Sequence, residues 1–127
     1  MARILIIEDD PAQMQMTAVM LVHDGHTVLR AVDAESGMAL ARAELPDLIV
    51  MDVNLPGMNG LSATARLKQT PATAAIPIIA LTGLAKRHDE KNALAAGCDA
   101  YIAKPLRYQE LYATIDTLLA KRKSRAP

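Results

Sequence analysis

The sequence is short of cysteine, of long apolar runs and of any excess of one charge, and each shortage removes a class of function. Its one cysteine, Cys98, can form neither an internal disulfide nor a multi-cysteine zinc site; it reads as a small buried thiol suited to a reducing cytoplasm. Lys and Arg number 14, Asp and Glu 14, and the pI is ≈ 6.8, so the basic excess that nonspecific nucleic-acid or anionic-membrane binding needs is missing. No direct nucleic-acid binding is expected. The apolar runs at residues 4–7 and 48–51 stop at acids, far short of the about 20 residues that span a bilayer, and Glu8-Asp9-Asp10 comes too early for a secretory leader. Neither GxxxxGK[ST] nor GxGxxG follows any apolar run, which removes nucleotide-binding loops.

What is present suffices for one core. A chain of 127 residues and 13.6 kDa, 51% hydrophobic and 22% charged, is expected to fold as one domain over residues 1–127. Short β-branched runs alternate with helical stretches, the pattern of parallel strands joined by right-handed crossovers. Five strands are predicted, at residues 3–7, 27–31, 48–51, 78–81 and 100–103. Three of them (4–7, 48–51, 78–81) are apolar throughout and belong in the middle of the sheet; the more polar 27–31 suits an edge.

Helices fill the intervals. The first begins at Asp10-Pro11, with an acceptor at the cap and proline in the first turn, and ends at Asp24-Gly25. The second runs over residues 34–44 behind Asp33, the third over about 60–68, and the fourth over about 86–96 up to Gly97. In the last helix Tyr108, Leu111, Ile115 and Leu118 form one apolar stripe. The fourth helix has Leu94 as its only large aliphatic and is expected to be weakly anchored, with His88 as a solvated residue near its start. The basic tail, residues 121–127, complements a helix C-terminus, or is the start of a linker.

In an open parallel sheet ligands bind at the carboxyl ends of the strands. There the sequence places Glu8-Asp9-Asp10, Asp52, Thr82-Gly83 and Lys104-Pro105. Asp10 is accounted for as a helix cap. Asp52 is not, because Val53-Asn54-Leu55-Pro56-Gly57 intervenes before any helix starts. Two carboxylates about 4 Å apart repel by about 4 kcal/mol at an effective dielectric of about 20, and one lysine cannot neutralise Glu8, Asp9 and Asp52 together. A divalent cation can. With oxygen donors alone the ion is expected to be Mg²⁺, which keeps several waters and leaves room for a phosphoryl group. Asp52 is then the nucleophile, Lys104 a second positive charge for phosphoryl oxygens, and Thr82 a hydroxyl for an incoming oxygen. The same acids would repel a flavin phosphate. An aspartate-based phosphatase needs a general acid two residues beyond its nucleophile, where this chain has Asn54.

The segments 4–10 (ILIIEDD), 46–60 (PDLIVMDVNLPGMNG), 78–83 (IIALTG) and 97–105 (GCDAYIAKP) resemble, in order and spacing, the receiver domain of two-component response regulators typified by the chemotaxis regulator. That resemblance implies a flavodoxin-like α/β fold with strand order 2-1-3-4-5. It implies that Asp52 accepts a phosphoryl group from a histidine kinase or histidine phosphotransfer domain. Mg²⁺ would be held by Asp9, Asp52 and the backbone carbonyl of Asn54, with Glu8 acting through water. Lys104 would pair with the phosphoryl oxygens, Thr82 would shift toward them, and Tyr101 would turn into the space Thr82 leaves. The Lys104–Pro105 bond would be cis. Output would pass through the fourth helix, fifth strand and fifth helix to a downstream protein target, from a monomer or weak dimer with no external substrate, and so not an enzyme. The alternatives are a receiver cut from a hybrid kinase or multidomain regulator, and an aspartate-based phosphatase. Leu84, two residues beyond Thr82, is expected to obstruct attacking water and lengthen the life of the aspartyl phosphate, so Leu84→Glu should speed dephosphorylation.

Overall fold

The computed structural model describes residues 2–55, 57–83 and 87–125, without the side chains of 87–90 and 123–125. Strands β1 (Arg3–Ile7), β2 (Thr27–Ala31), β3 (Leu48–Asp52), β4 (Ile78–Thr82) and β5 (Ala100–Ala103) alternate with helices α1 (Pro11–His23), α2 (Ala34–Glu44), α3 (Gly60–Gln69), α4 (Arg87–Ala96) and α5 (Tyr108–Arg125). All strands are parallel in the order β2-β1-β3-β4-β5, the flavodoxin-like arrangement. The chain order reverses between β1 and β3, so their carboxyl ends flank the crevice where this class of sheet binds ligands.

Period-two alternation divides the core. Leu5, Ile7, Ile49, Met51, Ile78 and Ala80 face α2, α3 and α4, whereas Ile4, Ile6, Leu48, Val50, Ile79 and Leu81 face α1 and α5. Both faces of the central strands are covered, which is why β1 is apolar from Ile4 to Ile7 and β3 and β4 carry no polar residue before their last position. Strand β2, with exposed Thr27 and Arg30, is the edge its composition predicts.

Local chemistry sets the helix ends. Asp10, Asp33 and Asn59 cap α1, α2 and α3 by accepting the backbone N–H of Gln13, Ser36 and Ser62. On α5, Leu111, Ile115 and Leu118 are buried, each worth about 1.5–3 kcal/mol of apolar transfer. The Tyr112 hydroxyl donates to the Met20 carbonyl at 2.7 Å, fastening α5 to α1. Arg122 donates to the carbonyls of Pro46 and Asp47 ahead of β3, so this cation of the basic segment serves a neighbouring turn.

Two expectations are corrected. Tyr108 does not belong to the apolar stripe: it is 53% exposed and tilts against Tyr112 with ring centroids 5.7 Å apart, because the helix has only just begun there and has not reached the sheet. Leu94 does not anchor α4. It is 51% exposed, and among the described side chains of α4 the buried contact comes from Ala93, the residue before it, which packs into the core on that side of the sheet. Among the described residues no helix is long and apolar enough to cross a membrane.

Candidate functional site

The end of each central strand delivers one polar residue to the crevice. Strands β3 and β4 run one residue further than predicted, to Asp52 and Thr82, because Asp52 pairs in register with Leu81 and Thr82 with Ala103. The nucleophile candidate is thus held on rigid strand backbone. It is followed by a loop that doubles back: the Asn54 N–H donates to Asp52 Oδ1 at 3.1 Å, and Gly60 N–H to the Val53 carbonyl at 3.0 Å. Gly60 closes this turn for a steric reason. A Cβ there would collide with the Asp52 carbonyl, so only glycine lets α3 start against the back of residue 52.

Glu8, Asp9 and Asp52 each place one carboxylate oxygen within 4.8 Å of the others. Glu8 and Asp52 are 2% and 4% exposed, whereas Asp9 is open to solvent. Lys104 reaches into this cluster from the end of β5, its Nζ 3.2 Å from Glu8 Oε1 and 3.5 Å from Asp52 Oδ1. The Asp10 N–H also donates to Glu8 Oε2. Even so, burial, reinforced by the hydrogen bond and charge of Asp52, pushes the Glu8 carboxyl up to about 7. One ammonium does not offset the acids gathered here. The surplus of negative charge, the all-oxygen donor set and an exposed carboxylate at the mouth fit a small hard cation, Mg²⁺, with room for its waters.

The remaining candidates lie on one side of the same crevice. Thr82 is buried, its carbonyl accepts the Lys104 N–H at 2.7 Å, and alternation along β4 puts it on the α4 side of the sheet with Ala80. Tyr101 pairs with Ala80 and packs, partly buried, on that same side. The Lys104–Pro105 peptide is cis. Leu84 and the side chain of His88 lie outside the described residues. In the sequence Gly60 stands as the start of the third helix and the end of a motif segment; its close approach to Asp52 is visible only once α3 is in place.

Known proteins match this architecture. The response regulator receiver domain family matches residues 4–116. Protein PilH of Pseudomonas aeruginosa is 41% identical over 120 residues, covering 94% of this chain and 99% of that protein. The DNA-binding dual master transcriptional regulator RpaA of a Synechocystis strain is 39% identical over 127 residues, all of this chain but 52% of that protein. Among solved structures, the receiver domain of sensor histidine kinase PA1611 from Pseudomonas aeruginosa superposes with a TM-score of 0.88 at 33% identity, over 94% of this chain and 98% of that one, and holds a magnesium ion in its active-site cleft. With its acidic cluster at the carboxyl edge of a 2-1-3-4-5 sheet, the chain belongs to the response regulator receiver domain family.

Proposed function

We propose that the protein is a phosphoacceptor switch in which Asp52 takes a phosphoryl group from a histidine kinase or histidine phosphotransfer domain. The observation that carries this is the position of Asp52: the last residue of β3, 4% exposed, with an ammonium at 3.5 Å and two further carboxylates beside it. Receiver domains interact with histidine kinases and are not conventional enzymes. In this reading the chain promotes only its own phosphorylation and dephosphorylation. The kinase partner implies a cytoplasmic setting, in keeping with Cys98 as a buried thiol.

An oxygen of the Asp52 carboxylate attacks phosphorus as the bond to the donor imidazole breaks, and the imidazole leaves with the bonding pair and takes up a proton. Asp9, Asp52 and the Asn54 carbonyl would hold Mg²⁺, with Glu8 acting through water; the ion supplies charge neutralisation for the phosphoryl oxygens. Lys104 exchanges its contact with Glu8 for those oxygens, and the Thr82 hydroxyl moves to bond another. Tyr101, on the same side of the sheet, turns into the vacated space. Turning such a domain from mostly off to mostly on takes about 5.5 kcal/mol of differential stabilisation, within reach of several charge-assisted bonds. The readout surface is α4, β5 and α5, where a downstream protein binds.

The match to RpaA, half of whose length this chain spans, favours a second reading of context: the same switch as one module of a longer regulator. The test of the switch itself is the intact mass after incubation with a small-molecule phosphodonor, with and without Mg²⁺, beside Asp52→Ala. One phosphoryl adduct that requires both the metal and Asp52 supports the reading; no adduct under any condition overturns it.

A further inference from the structure

Away from the acidic crevice, a lysine on α3 fastens the far end of α4. Lys68 Nζ donates to the Ala74 carbonyl at 3.3 Å, to the Ile76 carbonyl at 2.8 Å and to Asp99 Oδ2 at 2.9 Å, which uses all three of its protons. The same Asp99 oxygen accepts the N–H of Ile78, the first residue of β4, at 2.8 Å, and the Asp99 N–H returns a bond of 2.8 Å to the Ile78 carbonyl. The lysine stem lies along Gly97, where a Cβ would come 3.0 Å from Lys68 Cγ and where φ is +108, a conformation that suits glycine. Gly97 and Cys98 close α4 by donating to the carbonyls of Leu94 and Ala93, the paired bonds of a glycine-terminated helix. Cys98 is buried, its thiol 3.7 Å from the Thr64 hydroxyl on α3.

The described side chains of the helix, from residue 91 on, are held far less well. Over residues 91–96 Ala93 alone is buried, at 1% exposure, while Lys91, Asn92, Leu94 and Ala95 face solvent. With one buried methyl over residues 91–96 and a saturated ammonium-carboxylate fastening just beyond them, this stretch of the helix has a fixed point and a free arm. We infer that Lys68 and Asp99 form a rivet that makes Gly97 the pivot of α4, so that phosphorylation of Asp52 swings the helix about its C-terminal end rather than shifting it bodily. The inference rests on the phosphoacceptor reading above for the trigger, and on the geometry alone for the fixed point.

Amide hydrogen exchange resolves the two parts. Without phosphodonor, Lys68→Met, which keeps the stem on Gly97 and removes the three bonds, is expected to speed exchange at Gly97, Cys98 and Asp99 at least tenfold while leaving Ile6 and Val50 in the central strands unchanged. Asp99→Asn, which can still accept from Ile78, should give the same local signature and serves if the lysine variant fails to fold. Unchanged exchange at 97–99, or an equal rise through the sheet, overturns the rivet. With a small acyl phosphate and Mg²⁺, and the adduct verified by mass on the same sample, exchange in the wild type should change over 91–96 and stay constant at 97–99, and in Lys68→Met the change should spread into 97–99. An adduct with 97–99 moving as much as 91–96 overturns the swing alone. Absence of an adduct overturns the swing together with the phosphoacceptor reading, while the first comparison still decides the rivet.

Discussion

The ammonium of Lys104 stands 3.2 Å from Glu8 and 3.5 Å from Asp52, so the residue expected to grip a phosphoryl group rests against the acid that neighbours the metal site. Its bond to Glu8 is charge-assisted, and moving to phosphoryl oxygens exchanges one such bond for another. Replacing Lys104 by Met should therefore leave Asp52 able to react but slow adduct formation by about 100-fold, the usual cost of removing one positioned donor at a developing charge. Time-resolved intact mass with a small phosphodonor measures it; a rate within a few-fold of wild type would show that Lys104 takes no part.

The raised Glu8 carboxyl makes stability depend on pH in a definite direction. Glu8 titrates at about 7 when folded, against 4.5 for its ordinary value, so between these limits the folded state holds a proton that the unfolded state has released. This contribution to stability is complete below about pH 4.5 and lost as pH rises through 7. Without metal, thermal melts should show the loss, and Glu8→Gln should abolish that part of it. Excess Mg²⁺ should raise Tm more at pH 8 than at pH 5, because at the lower pH the proton already neutralises Glu8. Equal Mg²⁺ stabilisation at both values would argue against the metal sharing this cluster.

Gly60 should tolerate no side chain. A methyl at residue 60 meets the Asp52 carbonyl and lies 3.0 Å from Met51 Cγ, so Gly60→Ala is expected to cost about 1–3 kcal/mol by overpacking and to slow phosphorylation by displacing Asp52. Urea unfolding and the mass assay read the two effects.

The reversal of roles between Ala93 and Leu94 gives a paired test. Leu94→Ala should change stability by no more than about 0.5 kcal/mol, as surface substitutions do, whereas Ala93→Leu should cost about 1–3 kcal/mol by forcing α4 off the sheet. Urea unfolding of the two variants under the same conditions decides it, and a larger loss from Leu94→Ala would restore leucine as the anchor.

Strand identity, the central position of β1, β3 and β4 and the edge position of β2 were legible in the letters because burial on both faces demands unbroken apolar runs, as at Ile4 to Ile7, while β2 could keep Thr27 and Arg30. The acids at the strand ends were equally legible. Asp52 lies too far from the next helix to cap it, and the parallel sheet gathers such ends at one edge. Helix faces were less so. Periodicity gives a stripe but not where it meets the sheet, so Tyr108 and Leu94 read as buried when they are not.

Sequence by itself thus determined the alternation of elements and the chemistry of the crevice, since both follow from local composition and from the fixed direction of parallel strands. Tertiary structure decided what depends on residues far apart in the chain. The partner of Lys104 is an acid 96 positions away, the room at Gly60 is set by the backbone of Asp52, and the fastening of α4 joins Lys68 to Asp99 across 31 positions. The physical reason is range: caps, turns and strand runs act over a few residues, whereas ion pairs and steric limits act over a few ångströms, and only the folded chain brings those distances about.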